Sequence, residues 1–205
     1  MELVMEKCTI SLKYIKNIRK TKLESIRYEP WTHFVLDDFI DSKQFKLAQS
    51  EILAKKYDFN IMEEDRNKIR YTLLTYMPLA RLFYSLEFKN LVSRITSQEL
   101  WINESNMVQL RKADNKTPYF PRHVDVSPLG RTLVVIYCLS PSWSPKHGGR
   151  LCLHKSRNSP SSESIFVEPK ENRLVAFFTD KESWHSVEKV RGWERYSVLS
   201  EWICS

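Results

Sequence analysis

Residues 173–203 read RLVAFFTDKESWHSVEKVRGWERYSVLSEWI. Three runs rich in β-branched and aromatic residues, at 173–178, 184–190 and 194–203, alternate here with short polar turns. The same texture continues toward the N-terminus. Further β-rich runs stand at 106–111, 131–139, 150–154 and 164–168, broken by turns at 127–130, 140–149 and 156–162. About seven short strands in succession, with no internal repeat, predict a sandwich or barrel after Trp101.

The first half has a different pattern. A short strand is expected at 32–38 (THFVLDD), followed by a helix capped by Asp41 or Ser42 and running to about Lys55. Its apolar side is read as Phe45, Leu47, Ile52 and Leu53. The segment 57–77 is irregular and charged around 63–70, which predicts a mobile loop or a hairpin. Helical spacing of apolar residues returns at 79–86 and 88–95. Ile10, Tyr14, Ile15 and Ile18 point to a packed N-terminal helix, since Glu2 and Glu6 do not suit a transit peptide. The expected class is α+β in a single domain, 1–205, with 1–100 as mainly helical support and 101–205 as the β core.

Composition excludes more than it selects. A hydrophobic fraction of 42% and an aromatic fraction of 12% suit a folded chain, not a disordered one. Lys and Arg total 32 against 25 for Asp and Glu, so acidic partners are permitted, although a solvated basic surface explains the charge equally well. Cys8, Cys138, Cys152 and Cys204 form no CxxC pair and suggest neither a disulfide framework nor a zinc site. With no apolar run long enough for a signal peptide or membrane span, a reduced, cytoplasmic protein is expected.

The chemistry concentrates in a few residues. His123 and Asp125 are two apart, so on a strand they point to one face and can bend onto one metal ion. A further histidine from a distant strand completes a facial set of two imidazoles and a carboxylate, which leaves three octahedral positions of Fe(II) open. By itself the tripeptide is more often an exposed His and Asp before a turn. His185 opens the run at 184–190 and supplies the candidate third ligand. Ten residues later, Arg195 and Ser197 share one strand face, opposite Tyr196, Val198 and Trp202. A buried arginine requires an anion, and its planar fork matches a carboxylate, to which Ser197 can add a hydroxyl donor. A salt bridge to a protein carboxylate is the ordinary alternative.

The order HxD, about sixty residues, His, ten residues, Arg-x-Ser resembles the 2-oxoglutarate- and Fe(II)-dependent dioxygenases, in particular their prolyl-hydroxylase-like branch. The stretch GRTLVVIYCL at 130–139, Trp143, Gly148-Gly149-Arg150-Leu151, Glu168-Pro169, Asn172-Arg173-Leu174 and Phe178 are similar to the framework of the HIF prolyl hydroxylases. Met107-Val108 fits the same frame, and the resemblance spans about 105–203; the opening at Trp31–Phe39 is similar to related hydroxylases but less diagnostic. The resemblance implies a double-stranded β-helix (a cupin-like jelly roll) with flanking N-terminal helices. It implies that His123, Asp125 and His185 hold Fe(II), and that Arg195, helped by Ser197, anchors 2-oxoglutarate. Dioxygen is the second cosubstrate, ascorbate a candidate reductant, and succinate and carbon dioxide the by-products of hydroxylation.

Two departures concern the cosubstrate. Tyrosines that commonly contact it in the HIF enzymes are matched here by Cys138 and, upstream, near Arg111. The acceptor is expected to be an amino-acid side chain in a peptide or protein, prolyl among the candidates, with a free amino acid or small metabolite as the alternative. Nucleic-acid demethylation is disfavoured because Glu201 stands where demethylases of this type carry a second arginine. Asp125 argues against halogenation, and the intact residue set against an inactive binding module. His33, His147 and His154 are read as structural, with His147 exposed in a turn; Trp184 is a candidate pocket residue, and Tyr137 receives no role.

Overall fold

The computed structural model describes residues 26–64, 67–74, 78–102, 108–125 and 132–204. The expected N-terminal helix, Met107 and the turn at 127–130 lie outside these residues. The first described strands, β1 (Ile26–Arg27) and β2 (His33–Leu36), pair antiparallel and lead into α1 (Ser42–Ala54). Asp41 caps that helix by accepting from the Lys43 N–H at 3.0 Å, which satisfies one of its orphan donors. Its buried residues are Phe45, Ala48, Gln49 and Ile52. Leu47 was expected on this apolar side but is exposed; Gln49 takes the inner position and donates to the Leu139 carbonyl.

The charged segment after α1 is a hairpin, β3 (Asn60–Glu64) with β4 (Asn67–Leu73). Then come α2 (Pro78–Tyr84) and α3 (Leu86–Thr96), the latter capped by Ser85, whose Oγ accepts from the Phe88 N–H at 3.1 Å. A three-residue strand, β5 (Leu100–Ile102), follows. The first half therefore carries a hairpin and β5 besides the expected strand, and three of its four expected helices lie among the described residues.

The second half forms β6 (Gln109–Ala113), β7 (Phe120–His123), β8 (Thr132–Cys138), β9 (Leu151–Leu153), β10 (Ile165–Val167), β11 (Leu174–Thr179), β12 (His185–Val187) and β13 (Arg195–Cys204). They assemble into two antiparallel sheets. The larger has the order β1-β2-β11-β8-β13-β6-β4-β3, with β5 also on β13; the smaller has β10-β9-β12-β7. This is the double-stranded β-helix of the expected α+β class, with helices on the outer face of the larger sheet.

β8 shows why its sequence reads as one apolar run. All seven of its residues are buried, because both faces of the strand are covered. Leu133, Val135 and Tyr137 pack outward with Phe45, Phe83 and Phe88 from the helices, in a core that also takes Val198 and Trp202. Val134, Ile136 and Cys138 point inward, joining Val175, Phe177 and Leu199 of the larger sheet to Leu151, Leu153 and Val167 of the smaller. Asn172 ties these layers together. Its Oδ1 accepts from the Ile40 N–H (3.0 Å) and the Tyr137 hydroxyl (2.7 Å), and its Nδ2 donates to the Ile40 carbonyl (2.7 Å). Tyr137 is thus a core residue, in keeping with its lack of an assigned role. Arg173 next to it forms a fork with Asp37, whose carboxyl is held below its usual range by the guanidinium.

Candidate metal centre and its cavity

The inner faces of the two sheets border a cavity of about 1080 Å³. Its floor is set by strand pairing. In the smaller sheet, His185 of β12 is the direct cross-strand partner of His123 of β7, so both side chains emerge on one face. Their ring centroids are 4.1 Å apart. β7 ends at His123, and Asp125 lies two residues beyond it, off the strand on which the HxD was expected. It still reaches the pair: Oδ1 is 3.4 Å from His123 Nε2, and Oδ2 is 3.3 Å from His185 Nε2.

Backbone carbonyls fix which nitrogens face inward. His123 Nδ1 lies 2.8 Å from the Pro121 carbonyl, and His185 Nδ1 lies 2.8 Å from the Ser183 carbonyl. A carbonyl only accepts, so each neutral ring carries its proton on Nδ1 and turns the Nε2 lone pair toward Asp125. Two lone pairs and a carboxylate directed at one point repel one another unless a cation lies between them. Burial pushes the Asp125 carboxyl up, whereas His123 and His185 in their protonated forms donate to it from Nε2 and hold it well below its usual range, so a proton on each ring does in the metal-free protein what a cation does between the neutral rings. The three ligand atoms lie within 4.8 Å of one another, and no second group of three such residues occurs among the described residues. The donor set fits a first-row divalent metal with open coordination positions.

The larger sheet supplies a cationic wall. Arg195 and Ser197 face inward from β13, and Arg195 Nη1 donates to Ser197 Oγ at 3.2 Å. Arg195 is buried, its Nε has no hydrogen-bond partner, and no carboxylate pairs with it among the described residues. Burial lowers its proton affinity, and the neighbouring Cys138 does not neutralise it, since burial pushes that thiol up. An unpaired buried guanidinium is costly, so this position suits an anion. Ser197 is the cross-strand partner of Cys138 on one side and of Arg111 on the other. Arg111 lines the same cavity and donates from Nε to Gln109 Oε1 at 3.0 Å. Glu201 lines it farther along β13.

The turn at Gly148-Gly149 presses on this wall. Gly148 has φ of +61°, and a Cβ there would sit 2.4 Å from the Lys189 carbonyl oxygen; one on Gly149 would meet Arg195 Cδ at 3.4 Å. Other expectations are corrected. Trp184 does not line the cavity and lies under the Arg157 guanidinium at 5.9 Å. His147 is half-buried, stacked on Trp193 with ring centroids 5.7 Å apart. His33 and His154 are structural as read, and His154 bonds Ser164 Oγ (2.7 Å) and Ser186 Oγ (2.8 Å). Sequence reasoning missed the two carbonyls, which have no side-chain signal, and the rings of Phe177 and Phe120, which pack on His185 (4.9 Å) and His123 (4.3 Å).

Comparison with known proteins agrees with this geometry. The family model of the 2OG-Fe(II) oxygenase superfamily matches residues 108–203. A search of curated proteins finds no match to the chain. Among solved structures, the chain is similar to a Trichoplax adhaerens prolyl hydroxylase in complex with a hypoxia inducible factor oxygen degradation domain peptide fragment. The TM-score is 0.66 at 19% identity, covering 83% of each chain. A prolyl 4-hydroxylase from Phytophthora capsici superposes with a TM-score of 0.67 at 19% identity, over 98% of this chain and 68% of the other. The non-heme alpha ketoglutarate dependent epimerase SnoN from nogalamycin biosynthesis gives 0.63 at 15% identity, over 88% and 82%. The signature of the 2OG-Fe(II) oxygenase superfamily thus falls on residues 108–203, a little under half of the chain, and the fold is shared with these structures over most of its length.

Proposed function

We propose that His123, Asp125 and His185 hold the Fe(II), that Arg195 with Ser197 binds the distal carboxylate of 2-oxoglutarate, and that the acceptor is an amino-acid side chain in a peptide or protein, prolyl among the candidates. The observation that carries the reading is the pairing of two complementary features in one cavity. Three electron-pair donors, His123, Asp125 and His185, converge on one point, and the buried Arg195 guanidinium lines the same cavity with no carboxylate against it among the described residues. A divalent metal and a dicarboxylate satisfy both.

When bound, Fe(II) supplies the activation of dioxygen, coupled to oxidative decarboxylation of 2-oxoglutarate to succinate and carbon dioxide and to insertion of one oxygen atom into an acceptor C–H bond. The chain's own residues bind and orient. The Pro121 and Ser183 carbonyls hold both imidazoles in the tautomer that ligates through Nε2. Arg195 offers Nε and its remaining N–H groups to a carboxylate, while Ser197 Oγ, already accepting from Nη1, keeps its own hydrogen to donate. Val134, Ile136, Phe177 and Leu199 keep the intervening wall apolar.

The acceptor reading is supported by the reach of the cavity. It extends from the His-Asp-His group to Met62, Lys68, Ile69 and Arg70 of the β3–β4 hairpin and to Tyr119 and Phe120 before and on β7. An open trough with walls from two sheet edges suits an extended chain. One similar structure holds a peptide fragment, but SnoN shares the fold, so a free amino acid or small metabolite is the alternative. Competing a peptide library against free amino acids, with products read as a gain of one oxygen by mass spectrometry, decides between them. Peptide turnover that falls when residues 60–70 are shortened is expected. Efficient turnover of a free amino acid, untouched by the shortening, overturns the peptide reading.

A further inference from the structure

We propose that Trp31 and Phe177 are positioning residues for His185, forming an aromatic buttress that links the segment ahead of the barrel to the metal centre. This rests on His185 being a metal ligand, as proposed above.

β9 holds the backbone of β12 in register, but the His185 ring itself is less constrained. β12 is three residues long, and its pairing with β7 shifts register between His185 and Val187. The Nδ1 bond to the Ser183 carbonyl fixes the direction of one ring edge but leaves the ring free to tilt about it. Packing must set that tilt. On one side stands His123; on the other stands Phe177 of the larger sheet, with centroids 4.9 Å apart and planes at 60°. Behind Phe177 lies Trp31, at 5.4 Å and 59°. Rings at these separations and angles hold one another by shape and quadrupole, so a displaced Phe177 transmits its displacement.

Trp31 is itself clamped. Its carbonyl bonds His33 Nδ1 at 2.9 Å, and its indole N–H donates to the His154 carbonyl at 3.0 Å. The His154 N–H in turn donates to the Trp184 carbonyl at 2.8 Å, one residue before His185. Trp31 therefore reaches His185 by two routes, through the Phe177 ring and through the backbone of His154 and Trp184. An ordinary core tryptophan accounts for the packing but not for two converging contacts on one ligand.

The test titrates apo protein with Co(II), following the visible ligand-field absorption, for wild type, Phe177→Leu, Trp31→Ala, Trp31→Phe and His185→Ala. Phe177→Leu and Trp31→Ala are expected to weaken Co(II) binding by about tenfold or more and to alter the band shape, as loss of outer support around a metal ligand does. Trp31→Phe keeps a ring against Phe177 and recovers most of the affinity. If folded Phe177→Leu and Trp31→Ala lose thermal stability but bind Co(II) with wild-type affinity and spectrum, the buttress is structural only and the proposal is overturned. Should Trp31→Ala fail to fold, Phe177→Leu decides alone. Wild-type binding by His185→Ala refutes instead the assignment of the metal ligand.

Discussion

Replacing Arg195 separates its proposed role from that of an ordinary ion pair, because the two assign opposite costs to the same change. Arg195 spends Nη1 on Ser197 at 3.2 Å and leaves Nε buried and unpartnered. A carboxylate placed against it accepts two parallel hydrogen bonds, each about 1.5–3 kcal/mol because both partners are charged. Lysine keeps the charge but not the fork, so Arg195→Lys loses about one such bond. That corresponds to a 2-oxoglutarate affinity roughly tenfold to a hundredfold weaker, at about 1.4 kcal/mol per factor of ten. Calorimetric titration of the Mn(II)-loaded protein with 2-oxoglutarate measures this without turnover. Arg195→Met completes the test. A buried structural ion pair broken on one side costs about 3–5 kcal/mol, whereas removing a guanidinium that has no carboxylate partner costs little or stabilises the apo protein. Arg195→Met is therefore expected to abolish 2-oxoglutarate binding while unfolding no earlier in urea than wild type. Unchanged affinity in Arg195→Lys, or a large stability loss in Arg195→Met, rules out Arg195 as the carboxylate anchor and directs attention to Arg111.

Asn172→Ala strands the Ile40 N–H and the Tyr137 hydroxyl in the core and leaves a non-Asn residue at a φ of 60°, so urea titration is expected to show a loss of roughly 2–4 kcal/mol; a loss below about 1 kcal/mol contradicts the network. Burial, with help from the Arg122 charge, lowers the His154 pKa to about 4, below its ordinary value of 6.5. The unfolded chain then binds the extra proton first, so this contribution to stability is complete above pH 6.5 and is lost as pH falls toward 4. In His154→Gln, stability is expected to fall less across that window than in wild type; parallel pH profiles contradict this.

Much of the site was legible because pleat and pairing turn sequence spacing into direction. Arg195 and Ser197 share a strand, and their spacing of two places them on one face. His123 and His185 were readable only as an ordered pair; their direct register is a product of sheet assembly that no local signal encodes. The carbonyls of Pro121 and Ser183 were illegible, since every residue has one and only the fold selects which is used. Leu47 and Gln49 exchanged expected places because hydrophobicity alone cannot foresee the Leu139 carbonyl beneath α1. Trp184 looked like a cavity residue by adjacency to His185, but alternation along the chain turns neighbours to opposite sides. The three residues of β5 were too few to carry a period, and they form by pairing with β13.

In the proposed centre, His123, Asp125 and His185 bind the iron that couples 2-oxoglutarate decarboxylation to oxygen transfer. Release of labelled carbon dioxide from 2-oxoglutarate carrying the label at C1, with Fe(II) and dioxygen, tests it most directly in wild type beside His185→Ala. Iron-dependent release by wild type is predicted, together with a loss of about a hundredfold in His185→Ala, because two remaining ligands hold the metal loosely. Equal release by a folded His185→Ala protein shows that His185 is not a ligand of the metal.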